Sequence, residues 1–152
     1  MRCPVAFATI VGAALVGCSG GNDDPAGASQ LWARLRGSGD YHEFARAPGH
    51  PGKTTSTSPH GDQVEIFING TLQAAVDAPP PLAAWPSGSL VVADGFVSGK
   101  LQFVVAMEKR GTAWYWAEYR ADGSVEYSGA PSVCTSCHAG GADFVRSFPL
   151  PK

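Results

Sequence analysis

The run Val64-Glu65-Ile66-Phe67-Ile68 is β-branched and apolar, and similar runs extend from Ser89 to Val97 and, after Ser98-Gly99, from Leu101 to Lys109. Runs of this length and composition, bounded by glycine and polar residues, predict strands, and the short break between the last two predicts a hairpin. Ala113 to Tyr119 alternates Trp114 and Trp116 with Tyr115, and Ala121-Asp122-Gly123-Ser124 offers a tight turn into Val125-Glu126-Tyr127. Four or five antiparallel strands are therefore expected.

Helical spacing is confined to short stretches. Leu31, Trp32 and Leu35 place apolar residues on one face of a helix over Gln30–Arg36 that ends at Gly37, with Trp32 docking it on the core. Thr71 to Val76 predicts a helical turn ahead of Pro79-Pro80-Pro81 and the Trp85-Pro86-Ser87-Gly88 turn. Ala47 to His60 is rich in Pro, Gly, Ser and Thr and reads as a long loop. Pro131 suits a helix first turn, so a last helix is expected over Ser132–His138, continuing through Ala142–Phe148 until Pro149 and Pro151 stop it. The expected fold class is α+β, mainly β: an antiparallel sheet flanked by short helices, with a cysteine pair on the C-terminal helix.

Length changes this picture little: 152 residues suffice for one domain. A net charge of -2, with 16% charged residues, carries no excess of basic groups that would point to nucleic acid. The N-terminus says more. Arg2 precedes an uncharged apolar run from Pro4 to Gly17, the layout of a secretory signal and short for a membrane span. Leu15-Val16-Gly17-Cys18 looks like a bacterial lipobox, in which Cys18 receives lipid and becomes the first mature residue. The expected division is a signal peptide over 1–17, a flexible tether over 18–28 and one domain over 29–152. The product would be exported and face the periplasm on a lipid anchor, and Ser19 after the lipidated cysteine directs it to the outer membrane. Cys3 leaves with the signal and Cys18 takes lipid, so Cys134 and Cys137 remain as the one internal pair.

Cys134-Thr135-Ser136-Cys137-His138 is a complete C-x-x-C-H. One helical turn sets two thiols at the separation of the two vinyl groups of haem, and the next residue carries an imidazole to the iron. In an exported chain this spacing predicts one covalent haem c, held by Cys134 and Cys137 with His138 as metal ligand. A redox C-x-x-C needs a strand before the pair and a long helix after it, which the pattern lacks. Zinc needs a fourth ligand, and His42, His50 and His60 lie in or near the polar loop without paired spacing and read as solvated. Met107, inside a strand, reads as core filling, so the sixth iron position is expected to be open or water-filled. The alternatives are a six-coordinate electron carrier, with Met107 or a histidine on the iron, and a haem enzyme.

From about His60 onward the chain resembles the cytochrome P-460 family, which includes the cytochromes c′-beta. The likeness rests on His60-Gly61, Val64-Glu65-Ile66-Phe67-Ile68-Asn69, Trp85-Pro86-Ser87-Gly88-Ser89, Val105-Ala106-Met107-Glu108-Lys109, Trp114-Tyr115-Trp116, the C-x-x-C-H and Asp143-Phe144-Val145, in that order. The resemblance implies a mainly antiparallel β fold, a haem c with a vacant distal face and commonly a homodimer. The P-460 enzymes oxidise hydroxylamine with a haem cross-linked to a lysine, whereas the c′-beta proteins bind nitric oxide or related small ligands in a phenylalanine-capped pocket.

Counting from the matching turn, the cross-linking lysine of the family falls on Ala93, which cannot form that bond. Lys100 and Lys109 read as solvated, so hydroxylamine oxidation is disfavoured. The distal wall is expected to be apolar, with Phe67, Phe96 and Phe103 as candidates, and to favour uncharged diatomic ligands unless His42 or Arg46 enters the pocket. Arg146, about two helical turns past His138, is a candidate partner for a haem propionate. The expected partners are a small gaseous or nitrogen-oxide ligand, a redox partner protein and, through Cys18, a membrane.

Overall fold

The computed structural model describes residues 21, 23–37 and 39–152; the expected signal peptide and Cys18 lie outside them. The chain forms a mainly antiparallel β-sheet with short flanking helices, an α+β fold as the hydrophobic pattern predicts. Its elements are α1 (Pro25–Leu35), β1 (Ala45–Arg46), β2 (Thr54–Thr55), β3 (Gln63–Ile68), α2 (Gly70–Val76), β4 (Leu90–Val97), β5 (Lys100–Arg110), β6 (Ala113–Arg120), β7 (Val125–Gly129) and α3 (Ser132–His138). The seven strands run in the order β1-β3-β4-β5-β6-β7, with β2 also paired to β3. The two extra strands are two residues each, and β2 lies inside the stretch expected to be wholly loop.

Register decides which residues meet. Ala93 of β4 stands opposite Ile66 of β3 and Val105 of β5, and Met107 stands opposite Trp116 of β6. Side chains alternate across a strand, so one face of the sheet presents Val64, Ile66, Val91, Met107, Trp114 and Trp116. Trp85, Val145 and Phe148 cover part of that face. The other face presents Phe67, Val92, Val104, Ala106, Ala117 and Tyr119, packed beneath Ala28, Leu31 and Leu35 of α1. The β4–β5 hairpin turns at Ser98 (φ 51°) and Gly99 (φ 77°), the pair of left-handed residues that a two-residue turn matched to strand twist requires.

α1 starts earlier than its apolar spacing predicts, so the expected tether over 18–28 is shortened from its C-terminal side. Pro25 occupies the first turn, the Asp24 carboxylate accepts from Gly27 N at 2.9 Å, and Tyr119 Oη donates to Ala28 O at 2.7 Å. Trp32 docks as expected, its ring centroid 4.7 Å from that of Tyr119.

The C-terminal expectation is corrected more deeply. The expected continuation of α3 through Ala142–Phe148 is absent, and in its place Ala142 and Val145 exchange backbone hydrogen bonds of 2.9 and 3.2 Å across a tight turn. Asp143 (φ 47°) and Phe144 (φ 66°) sit in the left-handed region. The Asp143 side chain is the physical cause, since its carboxylate accepts from Lys109 Nζ at 2.8 and 2.9 Å and from Trp85 N at 2.9 Å, fixing the turn on the sheet rather than along a helix axis.

Candidate functional site

A cavity of about 410 Å³ opens between the sheet, α3 and the loop ahead of β3, within the range of about 300–1,000 Å³ usual for small-molecule and cofactor sites. Its sheet wall is Val64 and Ile66 of β3, Val91 and Ala93 of β4, and Val105 and Met107 of β5. Thr55 to His60 form a second wall, and Cys137, His138 and Arg146 close a third. The aliphatic wall follows from strand parity, since alternate residues on three neighbouring strands converge on one patch.

α3 positions the motif. Cys134 is half-buried against the aromatic core, and Cys137 is exposed at the cavity. Burial pushes the Cys134 thiol up to about 11, with the charges of Glu118 and Cys137 adding to the rise. A redox pair runs on a lowered thiol, so this environment opposes the thioredoxin-like alternative. His138 Nδ1 lies 2.9 Å from Phe144 O. A carbonyl only accepts, so Nδ1 carries the proton and Nε2 is left with a lone pair and no hydrogen-bond partner among the described residues. Burial holds the imidazole below its ordinary value, against the Phe144 bond, which favours the charged ring. A ligating histidine needs this arrangement: neutral, with its tautomer set by a bond on the far nitrogen.

Arg146 reaches the motif by a route other than the one expected. The turn at Asp143-Phe144 folds the chain back, and Arg146 Nη1 donates to Cys137 O at 2.9 Å and lies 3.1 Å from Cys137 Sγ. Ala93 lines the cavity in the position the resemblance gives to a lysine. Lys100 is exposed as expected, whereas Lys109 is not solvated: it is 5% exposed and paired to Asp143.

The three phenylalanines do not form the wall. Phe67 faces α1 because it neighbours cavity-facing Ile66 in the strand. Phe96 lies past the register shift at Gly95/Phe96, with Lys53 Nζ 3.5 Å from its ring centroid. Phe103 shares the face of Val105 but lies beyond the cavity, under the Arg120 guanidinium at 5.4 Å. His42 and Arg46 stay on the α1 side, His42 Nε2 2.8 Å from Asp94 Oδ2 and Arg46 over the Phe67 ring at 4.2 Å.

The polar group that sequence reasoning missed is His60. It lines the cavity, and its Nδ1 lies 3.0 Å from Glu118 Oε2 of β6. Gly95 permits this, because a Cβ there would stand 1.9 Å from His60 O, so only glycine lets the loop settle on the sheet. His50 also lines the cavity, with Nε2 3.3 Å from Ser147 O. Trp116 Nε1 is buried without a hydrogen-bond partner among the described residues, and its ring centroid is 6.3 Å from that of His138. Among the described residues no three His, Cys, Asp or Glu side chains gather to hold a metal ion, and no helix is long and apolar enough to cross a membrane. Neither family models nor curated proteins give a match to the chain.

Proposed function

We propose that the chain is a mono-haem c-type cytochrome with an open distal site, one that binds small nitrogen oxides or passes electrons. The observation that carries this reading is His138, with Nδ1–H tied to Phe144 O at 2.9 Å and Nε2 unpartnered on a ring that lines a cavity next to two thiols of a C-x-x-C-H. The residues fit the group. Cys134 and Cys137 would hold the ring through thioethers, His138 Nε2 would ligate the iron, and Arg146, at the cavity edge, would meet a propionate. When bound, the haem supplies reversible one-electron chemistry and a site for a diatomic ligand. The chain's own part is to present a neutral imidazole, wall the cavity with aliphatic side chains and exclude water.

The P-460-like resemblance belongs to the same reading, on its c′-beta side. Ala93 has no amine, and Lys109 is held by both oxygens of Asp143 at 2.8 and 2.9 Å, so neither supplies the cross-link of a hydroxylamine oxidase. A second reading, a haem enzyme reducing nitric oxide or peroxide, is favoured by His60 and Glu118, 3.0 Å apart beside the cavity, because proton transfer needs a polar group there. Export, lipid on Cys18, an outer-membrane location, a redox partner protein and a homodimer complete the proposal.

The test is the absorption spectrum of the purified protein, ferric and ferrous, with alkaline pyridine and with carbon monoxide and nitric oxide. High-spin bands, a c-type pyridine haemochrome and ready ligand binding support the proposal. A low-spin spectrum indifferent to carbon monoxide leaves the six-coordinate carrier with Met107 or His60 on the iron, and a strongly red-shifted ferrous Soret band revives the cross-linked enzyme. A colourless protein from a host competent in haem attachment refutes all three.

A further inference from the structure

We infer that the ion pair between buried Lys109 and part-buried Asp143 is a positioning device for His138: it fixes the turn whose carbonyl holds Nδ1–H, and so sets the direction and donor strength of Nε2 toward a haem iron. The inference rests on the haem reading above and adds a residue, Lys109, that no part of the C-x-x-C-H motif contains.

The argument starts from the turn. Asp143 (φ 47°) and Phe144 (φ 66°) are consecutive non-glycine residues in the left-handed region, a strained conformation that persists only where the surroundings over-determine it. The over-determination is visible. One carboxylate takes Lys109 Nζ on both oxygens at 2.8 and 2.9 Å, Trp85 N at 2.9 Å and Trp114 Nε1 at 3.4 Å. The Lys109 main chain is held in the sheet, its N donating to Ser89 O at 2.8 Å and its carbonyl accepting from Gly88 N at 2.8 Å. From there the buried side chain delivers its ammonium to Asp143. The next residue along from the clamped aspartate is Phe144, whose carbonyl accepts from His138 at 2.9 Å.

Stability is a poor explanation for such a pair. Replacing a buried ion pair by apolar residues of similar volume is often neutral or stabilising, so its presence fits a positional role better than an energetic one. A bond from the far nitrogen of a ligating histidine raises the basicity of the ligating one and fixes its ring. If Lys109 is lost, Asp143 loses the donor that holds both its oxygens, the turn is free to relax, and the Phe144 carbonyl leaves the imidazole. His138 Nε2 would then be a weaker donor toward a bound haem iron.

The experiment compares the haem-loaded wild-type protein with Lys109→Met, Lys109→Arg and Asp143→Asn, reading the pyridine haemochrome, the Fe–histidine stretching band of the ferrous form, the reduction potential and the denaturation midpoint. In Lys109→Met the expected result is retained covalent haem, a lower Fe–histidine frequency and a higher reduction potential, with Lys109→Arg returning both toward wild type. Asp143→Asn keeps the side-chain shape and one acceptor oxygen, enough for Trp85 N (on Oδ2) or Trp114 Nε1 (on Oδ1) but not both, and removes the charge that pairs with Lys109, so it reads the same shifts should Lys109→Met fail to fold. Unchanged frequency and potential in holoprotein of either variant, whatever its midpoint, overturn the inference and leave the pair purely structural. Absence of haem from the wild-type protein is a different result, which removes the haem reading itself.

Discussion

Cys134 provides the sharpest test of the local environment around the motif. Prepared without haem attachment, the chain offers two thiols three residues apart, one half-buried beneath the sheet and one exposed. Burial, with Glu118 and Cys137 adding, pushes the Cys134 thiol from an ordinary value of 9.0 up to about 11. At pH 8 the thiolate fraction falls from about 10% to about 0.1%, a loss of about 100-fold. A more basic thiolate is also the better nucleophile; with a Brønsted slope of about 0.4–0.5 it regains about tenfold. Cys134 should therefore alkylate about tenfold more slowly than a cysteine in an unfolded peptide, before any loss of access through burial. The assay is a timed iodoacetamide reaction on the native haem-free chain, quenched and mapped by peptide mass spectrometry, with the urea-unfolded chain as reference. Glu118→Gln removes one of the charges raising the thiol and should quicken Cys134 labelling. Equal rates for Cys134 in the native and unfolded chains would refute the reasoning, and faster labelling in the native chain would restore the redox C-x-x-C alternative.

Two further predictions follow from the two faces of the sheet. Leu31 is fully buried between α1 and the face away from the cavity, so Leu31→Ala should cost about 2–5 kcal/mol, seen as a urea midpoint lower by about 1–2.5 M at a slope of about 2 kcal/mol/M. The haem spectrum and carbon monoxide affinity should not move; a spectral change would mean that the two faces are mechanically coupled. On the cavity side, His138 in the haem-free chain has its folded pKa below the unfolded value of about 6.5. The unfolded chain then binds more protons in the window between the two values, so this contribution is complete above about pH 6.5 and is lost as pH falls through the lowered folded value. His138→Gln should remove that part of the acid destabilisation, measured as the difference between the two chains' urea midpoints at pH 7.5 and pH 5; identical pH dependence would sink the assignment.

Much of this molecule is legible from one strand to the next. Period-two apolar runs placed β3 to β7 to within a few residues, because a half-buried sheet imposes alternation locally, and the C-x-x-C-H was placed on a helix because its thiols and imidazole fall within about one helical turn. Ala93 was also located by counting, and it lies in the cavity wall. Local pattern failed where a residue's surroundings come from distant sequence. Phe67 has the composition of a pocket aromatic, yet parity with Ile66 turns it toward α1. His60 sits in a polar loop and reads as solvated, yet the space left by Gly95 brings it beside Glu118, at 3.0 Å.

The C-terminal turn marks the boundary most clearly. Ala142 to Phe148 carries no glycine or proline within it and reads as helix, but the Asp143 carboxylate finds an ammonium and a backbone N–H presented by Lys109 and Trp85, 34 and 58 positions away. Those contacts outweigh local helical preference, which is a few tenths of a kcal/mol per residue, and they decide where the His138 proton points. The sequence by itself determined the mainly β fold and the close spacing of the two thiols and the imidazole, both encoded by neighbours. The orientation of the imidazole, the polar edge of the cavity and the ion pair of Lys109 with Asp143 were decided only when the sheet brought separate strands into register, because hydrogen bonds and ion pairs depend on distances that no local spacing specifies.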